Sequence, residues 1–248
     1  LETTGTAIGK INGLTVMSLG DTSFGSPARI TASVYPGSKG IVDIEREVAL
    51  GQAIHSKGVM ILSGFLGNRY AQKFPLAISA HIAMEQSYGY VDGDSASMAE
   101  LICLISALIH SPIDQSFAIT GSVNQYGEAQ AIGGVNEKIE GFFRLCKARG
   151  LTGKQGVIIP AANQRNLVLH DDVLEAVKAG EFHVYCVRHV DEAIHLLLDR
   201  EPGIADADGN FPEGSVNGEI IKRLEAIARM ADPSSKTDNS QKDNAGDK

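Results

Sequence analysis

One serine in this chain has the surroundings that acyl-transfer chemistry requires. Ser95 lies in the segment Val91–Ser97, which directly precedes the apolar run Met98–Ile109. That run is long enough for a helix, so Ser95 falls at or just before a helix N-terminus, where free N–H groups and the helix dipole favour negative charge. An oxyanion formed during acyl transfer is such a charge. A serine hydroxyl also needs a base that takes its proton.

Lys138 is the candidate base, because its own helix gives a reason for a low pKa. The apolar residues that precede and follow it have helical spacing and form one face: Val135, Ile139, Phe142, Phe143 and Cys146. Lys138 lies at the edge of this face, and the charged residues Glu137, Glu140, Arg144 and Lys147 are expected on the opposite side. Gly133-Gly134 precedes the helix, so desolvation and the dipole both disfavour a charged ammonium. The alternative is a lysine that lays its stem over the core and keeps its amine in water.

Three ordered motifs carry a family resemblance. They are Asp92-Gly93-Asp94-Ser95-Ala96-Ser97, Thr120-Gly121-Ser122 and Gly133-Gly134-Val135-Asn136-Glu137-Lys138. Together they resemble the proteolytic domain of Lon proteases, most closely its B-type and Lon-like branch. The resemblance runs from about Gly5 to Leu198. The A-type bacterial enzymes have a proline before the serine, where this chain has Asp94.

The resemblance implies a role for each matching residue. Ser95 becomes the nucleophile and Lys138 the general base of a Ser-Lys dyad, with Thr120 orienting the lysine amine. The backbone N–H groups from Gly93 to Ala96 would stabilise the oxyanion. His81 resembles the histidine that the family places on a substrate-binding strand before the serine. Without the family, Thr120 is an ordinary strand residue.

Two aspartates beside the serine have two interpretations that can hold together. Asp92 and Asp94 resemble acidic residues that can obstruct the nucleophile in the B-type branch. Their position also suits capping of the helix that begins near Ser97. The first interpretation predicts activation when Asp94 is replaced, and the second predicts a loss of stability.

Composition is typical of one globular enzyme domain. The chain has 248 residues, 43% of them hydrophobic, and a net charge of −8, which argues against a general nucleic-acid binder. Its three cysteines, Cys103, Cys146 and Cys186, form no CxxC pair, which favours buried thiols in a reducing compartment. We expect no membrane span and a cytoplasmic location. The start Leu-Glu-Thr-Thr suggests an excised fragment.

No cofactor is expected for this domain. The chain has no Walker A motif, so ATP and Mg are expected only for an ATPase module of a longer parent. The six-residue spacing of His183, His189 and His195 does not suit a metal site, and none is predicted. His55 and Lys57 are interpreted as surface or helix-start residues.

Periodicity and turn signals predict an α/β domain whose sheet mixes strand directions. The resemblance names it a Lon proteolytic domain, a ribosomal protein S5 domain 2-like fold. The expected strands and hairpins are Gly9–Ser18 as a hairpin turning at Asn12-Gly13, Ala28–Tyr35, Gly40–Val48, Leu76–Met84, Ser116–Val123 with a return strand after Asn124–Gly127, Gly156–Pro160 and Phe182–Val187. The expected helices are Ser56–Tyr70, Met98–Ile109, Val135–Lys147, Asp172–Ala179, Asp191–Leu198 and Val216–Met230. We predict a proteolytic domain at 1–200, an extension with one amphipathic helix at 201–231 and a disordered tail at 232–248.

The predicted function is that of a serine endopeptidase acting on unfolded or damaged proteins. An extended substrate is expected to pair with an exposed strand such as Leu76–Met84, and the resemblance implies a homo-hexameric ring with enclosed sites. Two other classes stay open. A catalytically silent assembly or substrate-holding ring would leave Ser95 unlabelled by a serine-reactive probe, and a nucleic-acid module would show salt-dependent binding.

Overall fold

A mixed seven-stranded sheet forms the centre of the molecule. In this computed structural model, which describes residues 1–87 and 89–232, the strand order is β11-β10-β7-β2-β3-β5-β4. The strands are β1 Thr6–Ala7, β2 Lys10–Leu19, β3 Thr22–Pro36, β4 Gly40–Asp43, β5 Ile78–Met84, β6 Ile113–Asp114, β7 Phe117–Ile119, β8 Ser122–Val123, β9 Ala129–Gln130, β10 Gly156–Pro160 and β11 His183–Val187. The helices are α1 Ile44–Glu47, α2 Ala53–Tyr70, α3 Ser97–Ile109, α4 Val135–Arg149, α5 Asp171–Lys178, α6 Val190–Leu198 and α7 Val216–Ala231. The predicted mixed α/β class is confirmed, and nearly all of the predicted tail lies outside the described residues.

Helices cover both faces of the sheet. In β10, Ile158 belongs to the core shared with α2, α3, α6 and α7, while Val157 and Ile159 belong to the core shared with α4 and α5. Successive strand residues point to opposite faces, so a run of buried residues requires a cover on each side. This three-layer arrangement places Ser95 and Lys138 on elements from opposite faces, and their side chains meet at one end of the sheet.

The predicted hairpin over Gly9–Ser18 is wrong. Lys10–Leu19 is one continuous strand that pairs antiparallel with β3, and the turn lies at Gly20-Asp21. Asn12 serves another purpose, because its side-chain amide donates to the backbone oxygens of Glu2, Gln115 and Phe117. The Asn-Gly pair therefore joins neighbouring segments instead of reversing the chain.

The strand before the serine is not exposed, contrary to the prediction. β5 pairs antiparallel with β3 and parallel with β4, so both of its edges are occupied over Ser79–Ile82. At its end, Glu45 Oε1 accepts from the Met84 amide at 2.7 Å. Glu45 lies in α1, where the predicted strand Gly40–Val48 has already become helical. β5 therefore offers no free edge to an extended substrate along that stretch.

The predicted strand Ser116–Val123 is interrupted at Thr120-Gly121. The Thr120 amide still donates to Ile158 O of β10 at 3.1 Å, and the backbone leaves the sheet at Gly121. The Gly121 amide donates to Ser95 O at 2.8 Å, and the Met98 amide donates to Gly121 O at 3.1 Å. β8 then pairs with β9 as a separate two-stranded sheet. The interruption exists because these backbone groups bond the segment around Ser95 in place of a neighbouring strand.

Helix α7 packs into the main core. Val216, Ile220, Leu224 and Ile227 are buried in the same cluster as α2 and α3. Among the described residues, no helix combines the length and apolar character needed to cross a membrane.

Candidate active site

Ser95 lies two residues before the first residue of α3. Ala96 is the N-cap of this helix, and the preceding glycine, Gly93, has a φ of 89° that an L-residue rarely adopts. The Ser97 amide donates to Asp94 O at 3.0 Å and closes a tight turn around Ser95. The predicted position of the serine at a helix N-terminus is confirmed.

Lys138 lies in the first turn of α4, and glycines bring this helix unusually close to the sheet. A Cβ at Gly25 of β3 would lie 1.9 Å from the carbonyl oxygen of Glu137, and a Cβ at Gly141 would lie 2.2 Å from the carbonyl oxygen of Gly25. Real Cβ atoms do not approach so closely, so only glycine fits at both positions. The contact fixes the height of Lys138 above β3.

The lysine amine is buried against the serine hydroxyl. Lys138 Nζ lies 3.0 Å from Ser95 Oγ and 3.2 Å from Thr120 Oγ1, and the residue is only 4% exposed. The interpretation that the amine extends into water is therefore wrong. Burial lowers the pKa of Lys138 to about 8, although the carboxylates of Asp94 and Glu137 act in the opposite direction.

Thr120 connects both members of the pair. Its hydroxyl accepts from Lys138 Nζ and lies 3.4 Å from the backbone oxygen of Ser95, to which it can donate. The residue is 1% exposed and follows the end of β7 directly. A hydroxyl in this position orients the amine without adding charge.

Asp94 neither caps α3 nor bonds to the pair. Within residues 1–87 and 89–232, no side chain caps this helix, so the capping interpretation is wrong. Asp94 Oδ2 instead accepts from Ser122 Oγ at 2.9 Å, and the carboxylate acts on Lys138 through its charge. Asp92 is exposed and lies in the wall of the cavity that contains Ser95.

A cleft of about 1310 Å³ opens above Ser95 and Lys138. Its walls combine β2, β3 and the segment that follows β5, with apolar contributions from Val16, Met17 and Tyr90. Beyond Gly13, no strand of the described chain pairs with the outer edge of β2. This unpaired edge runs along the cleft.

The structure does not bring every predicted residue to the cleft. His81 is absent from its described lining, and the imidazole stacks on Tyr35 with ring centroids 5.6 Å apart. Glu140, expected on the solvent side of α4, is buried, and its Oε1 accepts from the His170 amide at 3.2 Å. His55, interpreted as a surface or helix-start residue, lies in the first turn of α2 but is only 2% exposed.

Several residues that shape the site had no role in the sequence analysis. Gly25 and Gly141 set the distance between α4 and the sheet. A Cβ added at Gly58 would lie 3.3 Å from Asp94 Cβ, and the Ser122 hydroxyl donates to the Asp94 carboxylate. Ser122 belongs to the Thr-Gly-Ser motif, so its closeness in sequence to Thr120 could have indicated that it lies near the site. Nothing in the local sequence of the three glycines indicates their partners.

The comparisons with known proteins agree with this geometry. The model of the Lon protease (S16) C-terminal proteolytic domain matches residues 5–200. The chain belongs to this family. The resemblance predicted from three short motifs is thereby confirmed over nearly the same residues.

Named relatives support the same assignment. A Lon protease homolog from Escherichia coli (strain K12) is 51% identical over 80% of this chain and 34% of its own length. A Lon protease homolog from Haemophilus influenzae is 45% identical over 92% of the chain and 38% of its own length. An archaeal Lon protease from Thermococcus kodakarensis is 34% identical over 82% of the chain and 29% of its own length. The chain therefore spans about a third of these curated relatives.

Proposed function

We propose that this chain is a serine endopeptidase with a Ser95–Lys138 dyad. The observation that carries the proposal is the 3.0 Å separation of Lys138 Nζ and Ser95 Oγ, with the amine buried at the floor of a cleft. When the amine is neutral, its lone pair accepts the serine proton as Oγ attacks the scissile carbonyl. Thr120 keeps the amine oriented for this transfer.

The rest of the cycle follows from the same groups. The ammonium formed on Lys138 protonates the leaving amine and becomes neutral again, and it then accepts a proton from the water that attacks the acyl-enzyme. The amides of Ser95 and Ala96 donate to no acceptor within the described chain, which leaves them for the oxyanion. The nearby N-terminus of α3 adds to the positive potential there.

The cleft favours an extended polypeptide substrate. The unpaired edge of β2 at Thr15–Met17 lies in its wall, and a substrate backbone can pair with such an edge while side-chain demands stay loose. Unfolded or damaged proteins present such segments. Within a longer parent we expect an ATPase module that uses ATP and Mg to deliver them, a homo-hexameric ring and a cytoplasmic location.

Replacement of Ser95 by alanine tests the proposal. Ser95→Ala deletes one oxygen, so we expect peptide hydrolysis to fall at least a thousandfold while the melting temperature stays the same. Ser87→Ala, a serine in the same cleft wall but outside the dyad, is the matched control. Activity of Ser95→Ala above a tenth of wild type, a loss of less than about 1.4 kcal/mol in barrier stabilisation, would exclude Ser95 as the nucleophile. If a serine-reactive phosphonate fails to label Ser95 in the wild type, the result would favour the catalytically silent assembly or substrate-holding ring instead.

A further inference from the structure

A second group of ionisable side chains lies behind the cleft, buried and unrelated to the dyad. Asp43 ends β4, Glu45 lies in α1, His55 in the first turn of α2 and Glu100 in the first turn of α3. All are at most 5% exposed. Asp43 and Glu45 are two residues apart, but His55 and Glu100 follow 10 and 55 residues after Glu45, so no single local motif contains the cluster.

The side chains converge on one small volume. One ligand atom each of Asp43, Glu45 and His55 lies within 4.8 Å of the other two. His55 Nε2 is 3.5 Å from Asp43 Oδ1 and 3.7 Å from Glu100 Oε1. Two donors bonded at about 2.1 Å to one cation at a tetrahedral angle lie about 3.4 Å apart. The 3.5 Å separation of His55 Nε2 and Asp43 Oδ1 therefore matches that of two ligands that share a metal ion.

The cluster leaves polar atoms without partners. Both carboxylate oxygens of Asp43 and Nε2 of His55 have no hydrogen-bond partner among the described residues. A buried polar group without a partner costs free energy, and a buried charge costs more. His55 Nε2 and Asp43 Oδ1 are 3.5 Å apart, longer than a well-formed hydrogen bond, and an ion bound between them would give both atoms a partner.

The cluster contains more acidic than basic groups. Among residues 1–87 and 89–232, His55 is the only cationic group in ion-pair contact with Asp43 and Glu100. Three buried carboxyl groups therefore accompany a single imidazole, so the cluster is rich in the oxygen and nitrogen donors that bind divalent cations.

We propose that Asp43, Glu45 and His55 bind a divalent transition-metal cation, with Zn²⁺ and Mn²⁺ as the best matches. Imidazole nitrogen favours zinc and related ions, and carboxylate oxygens suit both Zn²⁺ and Mn²⁺. Glu45 Oε1 also accepts from the Met84 amide. This second contact orients the carboxylate in the way that outer hydrogen bonds orient metal ligands.

The position of the cluster gives the ion a structural role. Its ligands join β4, α1 and α2, and Glu45 O accepts from the amides of Leu50 and Gly51. The Val91 amide donates to Leu50 O, and Gln52 donates to Val91 O. Val91 lies in the wall of the cleft. A bound ion would therefore fasten the segment that forms this wall to α1 and α2.

Metal content of the full 248-residue chain tests the proposal. The protein is stripped with EDTA, incubated with Zn²⁺ or Mn²⁺ in separate arms, freed of excess ion and measured by mass spectrometry. We expect one equivalent in the wild type in at least one arm and a melting temperature about 5 °C above that of the stripped protein. His55→Gln and Asp43→Asn should each retain less than a tenth of an equivalent, whereas His195→Gln, which alters an exposed histidine, should bind like wild type.

X-ray absorption of the zinc-loaded wild type avoids any dependence on variant folding. Nitrogen and oxygen neighbours without sulfur are expected, because no cysteine belongs to the cluster. Sulfur neighbours, a wild type without stoichiometric metal in both arms, or unchanged binding by folded His55→Gln would each overturn the proposal.

Discussion

The chemistry proposed for this site depends on the protonation of a single amine. A lysine in water, with a pKa of about 10.4, is almost fully charged at neutral pH and cannot accept a proton. Burial lowers the pKa of Lys138 to about 8, so the neutral fraction becomes substantial within the physiological range. Ser95 and Thr120 add the two oxygen contacts that keep the amine in place.

The pH profile should therefore follow Lys138. As a base it works only when neutral, so kcat/KM should rise about tenfold per pH unit and level off above about pH 8. Lys138→Arg and Lys138→Met should be equally inactive, because a guanidinium stays protonated. Lys147→Arg, on an exposed position of the same helix, should retain full activity. A midpoint near 6.5, or turnover by Lys138→Arg, would contradict the assignment of the base.

The charge of Asp94 should restrain the reaction at neutral pH. Its carboxylate favours the ammonium form of Lys138, so Asp94→Asn should move the pH midpoint downwards. The amide oxygen can still accept from Ser122, so the local structure is preserved. We expect activity at pH 7 to rise about two- to tenfold, equivalent to roughly 0.4–1.4 kcal/mol, with an unchanged melting temperature.

Ser122→Ala should change the pH midpoint and the activity at pH 7 in the opposite direction from Asp94→Asn. Without the Ser122 hydroxyl, the Asp94 carboxylate loses the partner that holds it, and it can turn towards Lys138. The pH midpoint should then rise and activity at pH 7 should fall. Lower activity of Asp94→Asn at every pH would show that the carboxylate assists the reaction instead of restraining it.

The positions of the proposed catalytic groups depend on the approach of α4 to β3. Gly141 and Gly25 meet where side chains would collide with backbone atoms, so the helix comes close enough for Lys138 to reach Ser95. In the same way, Gly58 of α2 leaves room for Asp94. The distance between the dyad atoms is thus set by contacts between helix and sheet.

Gly141→Ala should reduce the rate of hydrolysis while the protein stays folded. The added Cβ would lie 2.2 Å from the Gly25 carbonyl oxygen, so α4 must move outwards and carry Lys138 with it. A displacement of about 1 Å at a reacting group costs on the order of a hundredfold in rate. We expect that loss in folded protein, as judged by circular dichroism. Gly67→Ala, where a Cβ meets nothing within 4 Å, is the control and should leave the rate unchanged.

The molecule as a whole folds around a core that includes the C-terminal helix. The cluster that buries α2 and α3 also contains Val216, Ile220 and Leu224 of α7. Two further contacts fasten this helix: Tyr70 donates to Asn217 Oδ1 at 2.6 Å, and Ser215 caps it by accepting from Gly218 N. The segment after residue 200 therefore contributes to the same stability as the strands.

Leu224→Ala should weaken the entire domain. Leu224 is 1% exposed, and loss of a buried leucine costs about 2–5 kcal/mol through lost burial and the remaining cavity. We expect one cooperative unfolding transition in urea, shifted to lower concentration, for probes in both α4 and α7. Met230→Ala, on a residue that is 54% exposed, should shift it by less than about 0.5 kcal/mol. Separate transitions for the two probes would show that α7 folds independently.

Much of this arrangement is readable from local sequence. Periodic apolar residues predicted α3, α4 and α6 to within a few residues, and the turn at Gly93–Ser97 together with the Lys138 helix pointed to the dyad. Both signals are local: a helix face needs apolar residues three and four apart, and a nucleophile at a helix start needs a turn before it. Three motifs in the correct order then sufficed for the family.

Other features depend on residues far apart in the chain. Asn12-Gly13 has the composition of a turn, yet strand pairing with distant segments keeps it extended. β5 became an inner strand because β4 pairs with its second edge. The Asp94 carboxylate accepts a hydrogen bond from Ser122 instead of capping the helix start. The His55 side chain lies next to Asp43 and Glu100 in the core. Hydrogen bonds, close glycine contacts and buried charge clusters involve partners that chain folding alone brings together, so no local pattern could have identified them.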